Sequence, residues 1–379
     1  MENKNQEIET LRAFAILFAV AAHFNGFLFY NGIDWMIEMD RYFFFGGGVD
    51  LFFCVSGFVV SKSLIDYLDR HKSEGRQMLA IRAFWVRRIF RLLPSSWFWV
   101  MFGVISSTQF NKVFFSTTEA NLKSALAVAT FSGNILHPLN GILGPNVAYW
   151  SLALEEQFYF IFPFFLLLTS PKWRWKLLAA FTAVLFFIER PGGGLLWFTR
   201  VDGVMWGILI YLFTKTRYYQ ILNPKFMRSK ILSFIVVTAL LALIAGIPKM
   251  SDIKATLGIN IEYGLIAICT AGLVFLASFG AGYINSKPNA VLAWLGSRSY
   301  AIYLLHIPAY RITNEIWQYE ARLGTFGYLD YQIVWLLTSA ALIVIFAELN
   351  FRLIETPLRL LGAKISKNML NRPTLTVQN

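Results

Sequence analysis

Apolar stretches long enough to cross a lipid bilayer recur along the whole of this 379-residue chain, and few folds accommodate that pattern. About twenty residues of helix cover the ~30 Å hydrocarbon core, and a backbone placed there must satisfy its own hydrogen bonds. Windows of spanning length fall near 13–31, 43–62, 92–108, 150–169, 175–189, 196–214, 231–247, 261–284, 294–314 and 332–354. The expected fold is therefore an all-α polytopic integral membrane protein with about ten transmembrane helices. Composition agrees: 56% of residues are hydrophobic, 15% are charged and the mean hydropathy is +0.53, far from ordinary soluble domains. The run at 124–136 is short and broken by Ser132, Gly133 and Asn134, so an interfacial or re-entrant piece of an outer loop is expected there.

The net charge of +12 is informative through its distribution. Lys and Arg crowd segments 62–91, 172–176 and 215–230, whereas the opposite loops hold only Arg41, Lys112, Lys123, Arg190, Arg200, Lys249, Lys254 and Arg322. This is the positive-inside pattern of a membrane protein contacting lipid, with both termini cytoplasmic, rather than the compact basic patch of a nucleic-acid binder. The polar start MENKNQEIETLR leads into a long first run with no cleavage motif after it, so that run reads as a retained span. Cys54 and Cys269 lie far apart in apolar runs, and His71 and His137 sit in loops without partners at ligand spacing. Neither a disulfide framework nor a metal site is implied. The polar end, with Lys364, Lys367, Arg372 and Pro373, divides the chain into a membrane domain over 1–362 and a short cytoplasmic tail over 363–379.

Ionisable groups inside the apolar runs are costly and mark function by default. His23 sits mid-way along the first run, with Arg12 at its inner edge; eleven helical residues separate them, a rise of roughly 16 Å. His306, twelve residues above Trp294, falls at a similar depth. Asp50 and Glu155 lie roughly 8–10 Å below the outer surface. His23 is read either as a neutral imidazole bonded between helices or as a general base or nucleophile, with Glu155 or Asp50 as the carboxylate behind it. Glu155 and Glu156 are adjacent and point about 100° apart, which excludes a paired acid and base, while Ser151 shares a helix face with Glu155. The basic stretch before the third long run places Arg88 three and Arg87 four residues before Arg91. It suits either an interfacial anchor on anionic lipid or capture of a phosphorylated cytoplasmic donor. No Walker loop, GxGxxG, HExxH or GxSxG occurs.

An ordered set of motifs adds to these readings. IETLRAFAILFAVAAHF at 8–24, GGGVDLFFCVSGFVVSKSL at 46–64, FWVRRIFRLLP at 84–94, YWSLALEEQFYFIFP at 149–163, RVDGVMWG at 200–207, GSRSYAIYLLHIP at 296–308 and IETPLR at 354–359 resemble the membrane-bound acyltransferase-3 family, in its order and over nearly the whole chain. Bacterial members of that family O-acylate cell-envelope sugars and other acceptors, typically from acetyl-CoA. The resemblance implies that Arg12 and His23 are the family's Arg and His separated by ten residues. It also implies that Arg88 and Arg91 form its RxxR pair and that Trp150, Ser151 and Glu155 belong to its WSLxxE signature; Tyr300 and His306 fall within the 296–308 motif.

The expectation is thus an O-acetyltransferase of the bacterial inner membrane, using acetyl-CoA as co-substrate and no metal, and acting on a lipid-linked or surface saccharide such as O-antigen or capsule. His23, Glu155 and Asp50 are its candidate catalytic residues. Arg12, Arg88 and Arg91 are the candidate donor-binding residues, with Ser151, Trp150, Tyr300 and His306 as further site candidates. The rival is an acyl-group conduit or proton-coupled transporter without final transfer activity. Many family members carry a C-terminal esterase-like domain, and none is expected here. Residues 215–290 match no motif, so acceptor choice is expected to reside there.

Overall fold

The computed structural model describes residues 5–29, 34–110, 112–250, 261–285, 287, 289–323 and 328–371, without the side chains of 318–323 and 328–330. Lys254, Arg372, Pro373, the Arg322 side chain and the end of the first expected span lie outside the described residues. All regular structure among the described residues is helical. The principal helices are α1 (Gln6–Ala22), α2 (Gly48–Ser73), α3 (Gln77–Gln109), α4 (Thr118–Ala129), α5 (Gly133–Asn140), α6 (Tyr149–Leu168), α7 (Pro171–Phe186), α8 (Asp202–Thr214), α9 (Lys230–Gly246), α10 (Glu262–Ser278), α11 (Ala290–Leu323), α12 (Tyr328–Asn350) and α13 (Thr356–Asn371).

Among the described residues, seven helical segments are long and apolar enough to cross a membrane: Gln6–Leu28, Phe45–Ser73, Gln77–Gln109, Tyr149–Leu168, Leu195–Thr214, Lys230–Lys249 and Tyr331–Asn371. Leu168, Ile231, Phe234 and Leu337, all within them, are exposed, as lipid-facing side chains must be. The protein is an integral membrane protein. The three other expected spans correspond to α7, with 16 residues, to α10, with 17, and to α11, which has the length but carries Arg298, His306 and Arg311. Segment 124–136 forms parts of α4 and α5, with the break at Thr130–Ser132. Asn134 docks α5 on α6 through a reciprocal pair of amide hydrogen bonds with Gln157, 3.0 and 2.9 Å.

Association of helices in lipid depends on close contact rather than on a hydrophobic gain, so small residues decide who neighbours whom. The tightest example joins α2 and α8. A Cβ on Gly203 would lie 2.5 Å from the Asp50 carbonyl oxygen, one on Gly207 2.2 Å from that of Cys54, and one on Gly57 2.3 Å from that of Val204. Similarly, Gly296 lets α11 lie along α1, where a Cβ would come 2.0 Å from the Glu9 carbonyl. The central α1 contacts α2, α10 and α11, and its first turn is capped by Asn5, whose side chain accepts from the amides of Glu7 and Ile8.

The basic segment expected as an interfacial helix is continuous with the third span, making α3 a single helix of 33 residues with Pro94 inside it. Its N-terminal half packs against α13. Arg87 Nη1 donates to Ser366 Oγ at 2.7 Å, Arg76 donates to the Leu370 carbonyl, and Gly362 fits against Phe90. One face of the basic stretch is thereby covered by protein.

Candidate active site

Helices α1, α2, α3, α6 and α11 surround a cleft enclosing about 730 Å³, part of it open to the outside. Arg12, Arg88 and Arg91 line it together with Ser56, Ser151, Glu155, Tyr159, Tyr300 and Tyr303. The three arginines singled out in the sequence therefore converge, although Arg12 comes from α1 and Arg88 and Arg91 from α3, 76 or more positions later in the chain. Arg12 pairs with Glu9 one turn below it, Nη1–Oε1 2.9 Å. The Arg88 guanidinium lies 4.8 Å from the ring centre of Tyr159 and 5.4 Å from that of Phe84, a cation–π seat that leaves its N–H edges available. The Arg91 Nε is buried without a hydrogen-bond partner. Arg87 is instead spent on Ser366 and the ring of Tyr67, and Arg298 pairs with Glu348 at 3.0 Å.

Glu155 faces the cleft and Glu156 does not, as their adjacency on a helix requires. The Glu155 carboxylate accepts hydrogen bonds from Ser56 Oγ and Tyr159 Oη, whose own oxygens are 2.8 Å apart. Sequence reasoning missed both donors. Tyr159 was visible one turn after Glu155, whereas Ser56 comes from another helix. Ser151 Oγ is 2.7 Å from Tyr303 Oη, and Tyr300 donates to the Leu92 carbonyl at 2.6 Å, close to the gap that Pro94 leaves in the α3 ladder. Tyr303 forms part of the cleft wall, and its ring centre is 5.8 Å from that of His306.

His23 terminates α1, and the chain continues into one turn of π-helix, Phe24–Leu28, an irregularity that often accompanies functional positions. His306 is fully buried. The two rings meet: His306 Nε2 lies 3.2 Å from His23 Nδ1, with ring centres 5.0 Å apart. His23 Nδ1 is also 2.8 Å from the Ala19 carbonyl, and His306 Nδ1 lies 2.8 Å from the Tyr303 carbonyl and 3.2 Å from that of Ile302. Sequence depth put the two histidines level; the fold makes them partners.

The carboxylate expected behind His23 is elsewhere. Glu155 is engaged with Ser56 and Tyr159. Both oxygens of Asp50 accept from Arg200, at 2.9 Å from Nε and 3.1 Å from Nη2. The Arg200 guanidinium is flanked by Trp150, Trp197 and Tyr263, with ring centres 4.8, 4.3 and 5.1 Å away. Trp150 thus belongs to this cluster and not to the cleft. The cause lies in the backbone: Gly203 brings the start of α8 against α2 at Asp50, and Arg200, three residues earlier, meets the carboxylate there. Among the described residues, no three His, Cys, Asp or Glu side chains gather as metal ligands would.

The chain is 27% identical over 382 residues to the peptidoglycan O-acetyltransferase OatA of Listeria monocytogenes, covering 93% of this chain and 55% of that protein. It is 26% identical over 406 residues to the putative peptidoglycan O-acetyltransferase YrhL of Bacillus subtilis, covering 94% and 55%. It is 26% identical over 389 residues to the O-acetyltransferase OatA of Staphylococcus aureus, covering 94% and 57%. The chain thus spans little more than half the length of these curated relatives. No solved structure matches it. The family model described as an acyltransferase domain matches residues 5–349, and the chain belongs to that acyltransferase-3 family.

Proposed function

We propose that this protein is a membrane O-acetyltransferase that moves an acetyl group from cytoplasmic acetyl-CoA to a hydroxyl of a cell-envelope saccharide. The observation that carries the proposal is the convergence of Arg12, Arg88 and Arg91 on one cleft whose wall, at Tyr303, adjoins the His306–His23 pair. Guanidiniums in a partly closed, low-dielectric site are suited to the phosphates of CoA, and the apolar flank of Val55, Val59 and Phe52 suits its pantetheine arm. The positive-inside bias supports cytoplasmic termini, an even number of crossings, about ten by the apolar runs, and a donor arriving at the arginine end. The acyltransferase domain extends through α13, because residues 363–371, expected in a tail, form the second half of that helix and pack on α3; the protein resides in the bacterial cytoplasmic membrane. Because relatives are named for peptidoglycan, peptidoglycan or its lipid-linked precursor is preferred here as acceptor over O-antigen or capsule.

His23 performs the chemistry by one of two routes that use the same lone pair. It takes the proton from the acceptor hydroxyl as that oxygen attacks the thioester carbon, the C–S bond breaks and the CoA thiolate regains a proton. Alternatively, its nitrogen attacks the thioester carbon and the C–S bond breaks to release the CoA thiolate; the acceptor hydroxyl then attacks the acetyl carbon, the C–N bond breaks to restore the imidazole, and the hydroxyl proton passes to the thiolate. The arginines hold the donor, and Glu155 with Ser56 and Tyr159 sets the polarity of the cleft between them. Purified protein in lipid, given labelled acetyl-CoA and a peptidoglycan acceptor, is expected to form acetylated glycan. His23→Ala is expected to abolish transfer at normal membrane levels, and retained transfer in that variant would overturn the assignment. Proton-coupled flux with no acetylated product would favour a conduit or transporter.

A further inference from the structure

We infer that His306 is the positioning residue for His23: through hydrogen bonds alone it holds the resting His23 ring with its proton on Nδ1 and its lone pair on Nε2. The inference rests on the role given to His23 above. It follows from which atoms are acceptors. Carbonyl oxygens cannot donate, so a ring nitrogen in hydrogen-bond contact with one must carry hydrogen. His306 Nδ1 faces two carbonyls, those of Tyr303 at 2.8 Å and Ile302 at 3.2 Å, and it therefore bears the proton of a neutral ring. His306 Nε2 is then a bare acceptor. It lies 3.2 Å from His23 Nδ1, which also faces the Ala19 carbonyl at 2.8 Å. Both neighbours of that nitrogen accept, so His23 Nδ1 carries hydrogen and shares it between them.

The reactive lone pair is thereby placed on His23 Nε2, an atom with no hydrogen-bond partner among the described residues, on a ring that is only partly buried. Isolated imidazole prefers its proton on Nε2, so the pair imposes the less common tautomer. The surroundings leave it little freedom. Tyr310 Oη is already committed to the Val20 carbonyl at 2.9 Å, while its ring packs edge-on to His306 with centres 5.9 Å apart. Arg311 Nη2 donates to the Pro145 carbonyl at 2.7 Å, and its charge lies over Phe27, 5.7 Å from the ring centre. When His23 Nε2 gains a proton or an acetyl group during transfer, the positive charge faces the His306 lone pair and the Ala19 carbonyl. A neutral partner thus does the orienting that a carboxylate does in other triads, without the negative charge that would hold the resting ring protonated.

Two substitutions separate this from a packing role. Phe at 306 preserves a ring without an acceptor, whereas Gln offers an amide oxygen near the position of Nε2 and fills the space less well. With labelled acetyl-CoA and the acceptor, His306→Phe is expected to lower kcat by about 10²-fold or more with the KM for acetyl-CoA unchanged, and His306→Gln to stay within about tenfold of the parent. A Phe variant as active as the parent, or a Gln variant no better than Phe, would overturn the inference while leaving the His23 assignment to its own test with His23→Ala. A measurement on the unaltered protein needs no variant to fold stably. Its four histidines can be labelled with nitrogen-15 and examined by solid-state NMR in lipid. His23 and His306 are both expected as Nδ1–H tautomers, and an Nε2–H resonance from His23 would sink the proposal.

Discussion

Asp50 and Arg200, 150 positions apart, form a two-pronged ion pair sealed inside the bundle, each side chain no more than 4% exposed. In water such a pair is worth little. Here removal of one partner leaves a charge without solvent, a loss of about 3–5 kcal/mol.

Arg200→Ala is therefore expected to destabilise the detergent-solubilised protein severely, read as a lowered thermal midpoint and poor recovery from the membrane. Combining Asp50→Asn with Arg200→Met, which removes both charges, is expected to restore much of the loss. If the double variant is as unstable as Arg200→Ala, the pair contributes through shape and not through charge.

Gly207 is the close-approach point of α2 and α8. An added methyl would sit 2.2 Å from the Cys54 carbonyl and 2.6 Å from the Phe58 amide nitrogen, so Gly207→Ala is expected to cost about 1–3 kcal/mol as the helices are pushed apart. Gly26→Ala, with nothing within 4 Å of its added carbon, is the control and is expected to unfold at nearly the parental temperature.

Arg87 is predicted to behave differently from its neighbours Arg88 and Arg91. Arg88→Ala and Arg91→Ala each remove a guanidinium from the cleft, and at about 1.5–3 kcal/mol per charge-assisted hydrogen bond each is expected to raise the KM for acetyl-CoA roughly tenfold or more. Arg87→Ala, whose partners are Ser366 and the Tyr67 ring, is expected to leave that KM unchanged. Equal effects from all three would return the stretch to a general lipid anchor.

The C-terminal helix α13 is held by that same Arg87 and by the fit of Gly362, where a Cβ would lie 2.5 Å from Phe90 Cβ. Gly362→Leu is expected to detach α13 and open it to limited proteolysis between Thr356 and Asn371, while the fragment ending before Thr356 stays intact. Unchanged cleavage kinetics would show that the helix is held by other contacts.

Much of the site was legible in the residue order, and the reason is geometric. A helix that must cross about 30 Å converts residue number into depth at 1.5 Å per residue. His23 and His306 were accordingly placed level, and Arg12 below them, before any contact was known. The 100° step between residues likewise separated Glu155 from Glu156 and joined Ser151 to the cleft face.

Lateral neighbours followed no such rule. Nothing about Asp50 in its own helix names Arg200 as its partner, and nothing about Glu155 names Ser56. The first pairing was settled when Gly203 and Gly207 let α8 approach α2, just as Gly296 let α11 lie along α1 and brought His306 to His23; Ser56 reaches Glu155 because α2 and α6 line the same cleft. Periodicity and apolarity act along one helix, so they dictate span, depth and face. Which helix stands opposite depends on contacts between residues far apart in the chain, decided by where glycines permit backbones to touch.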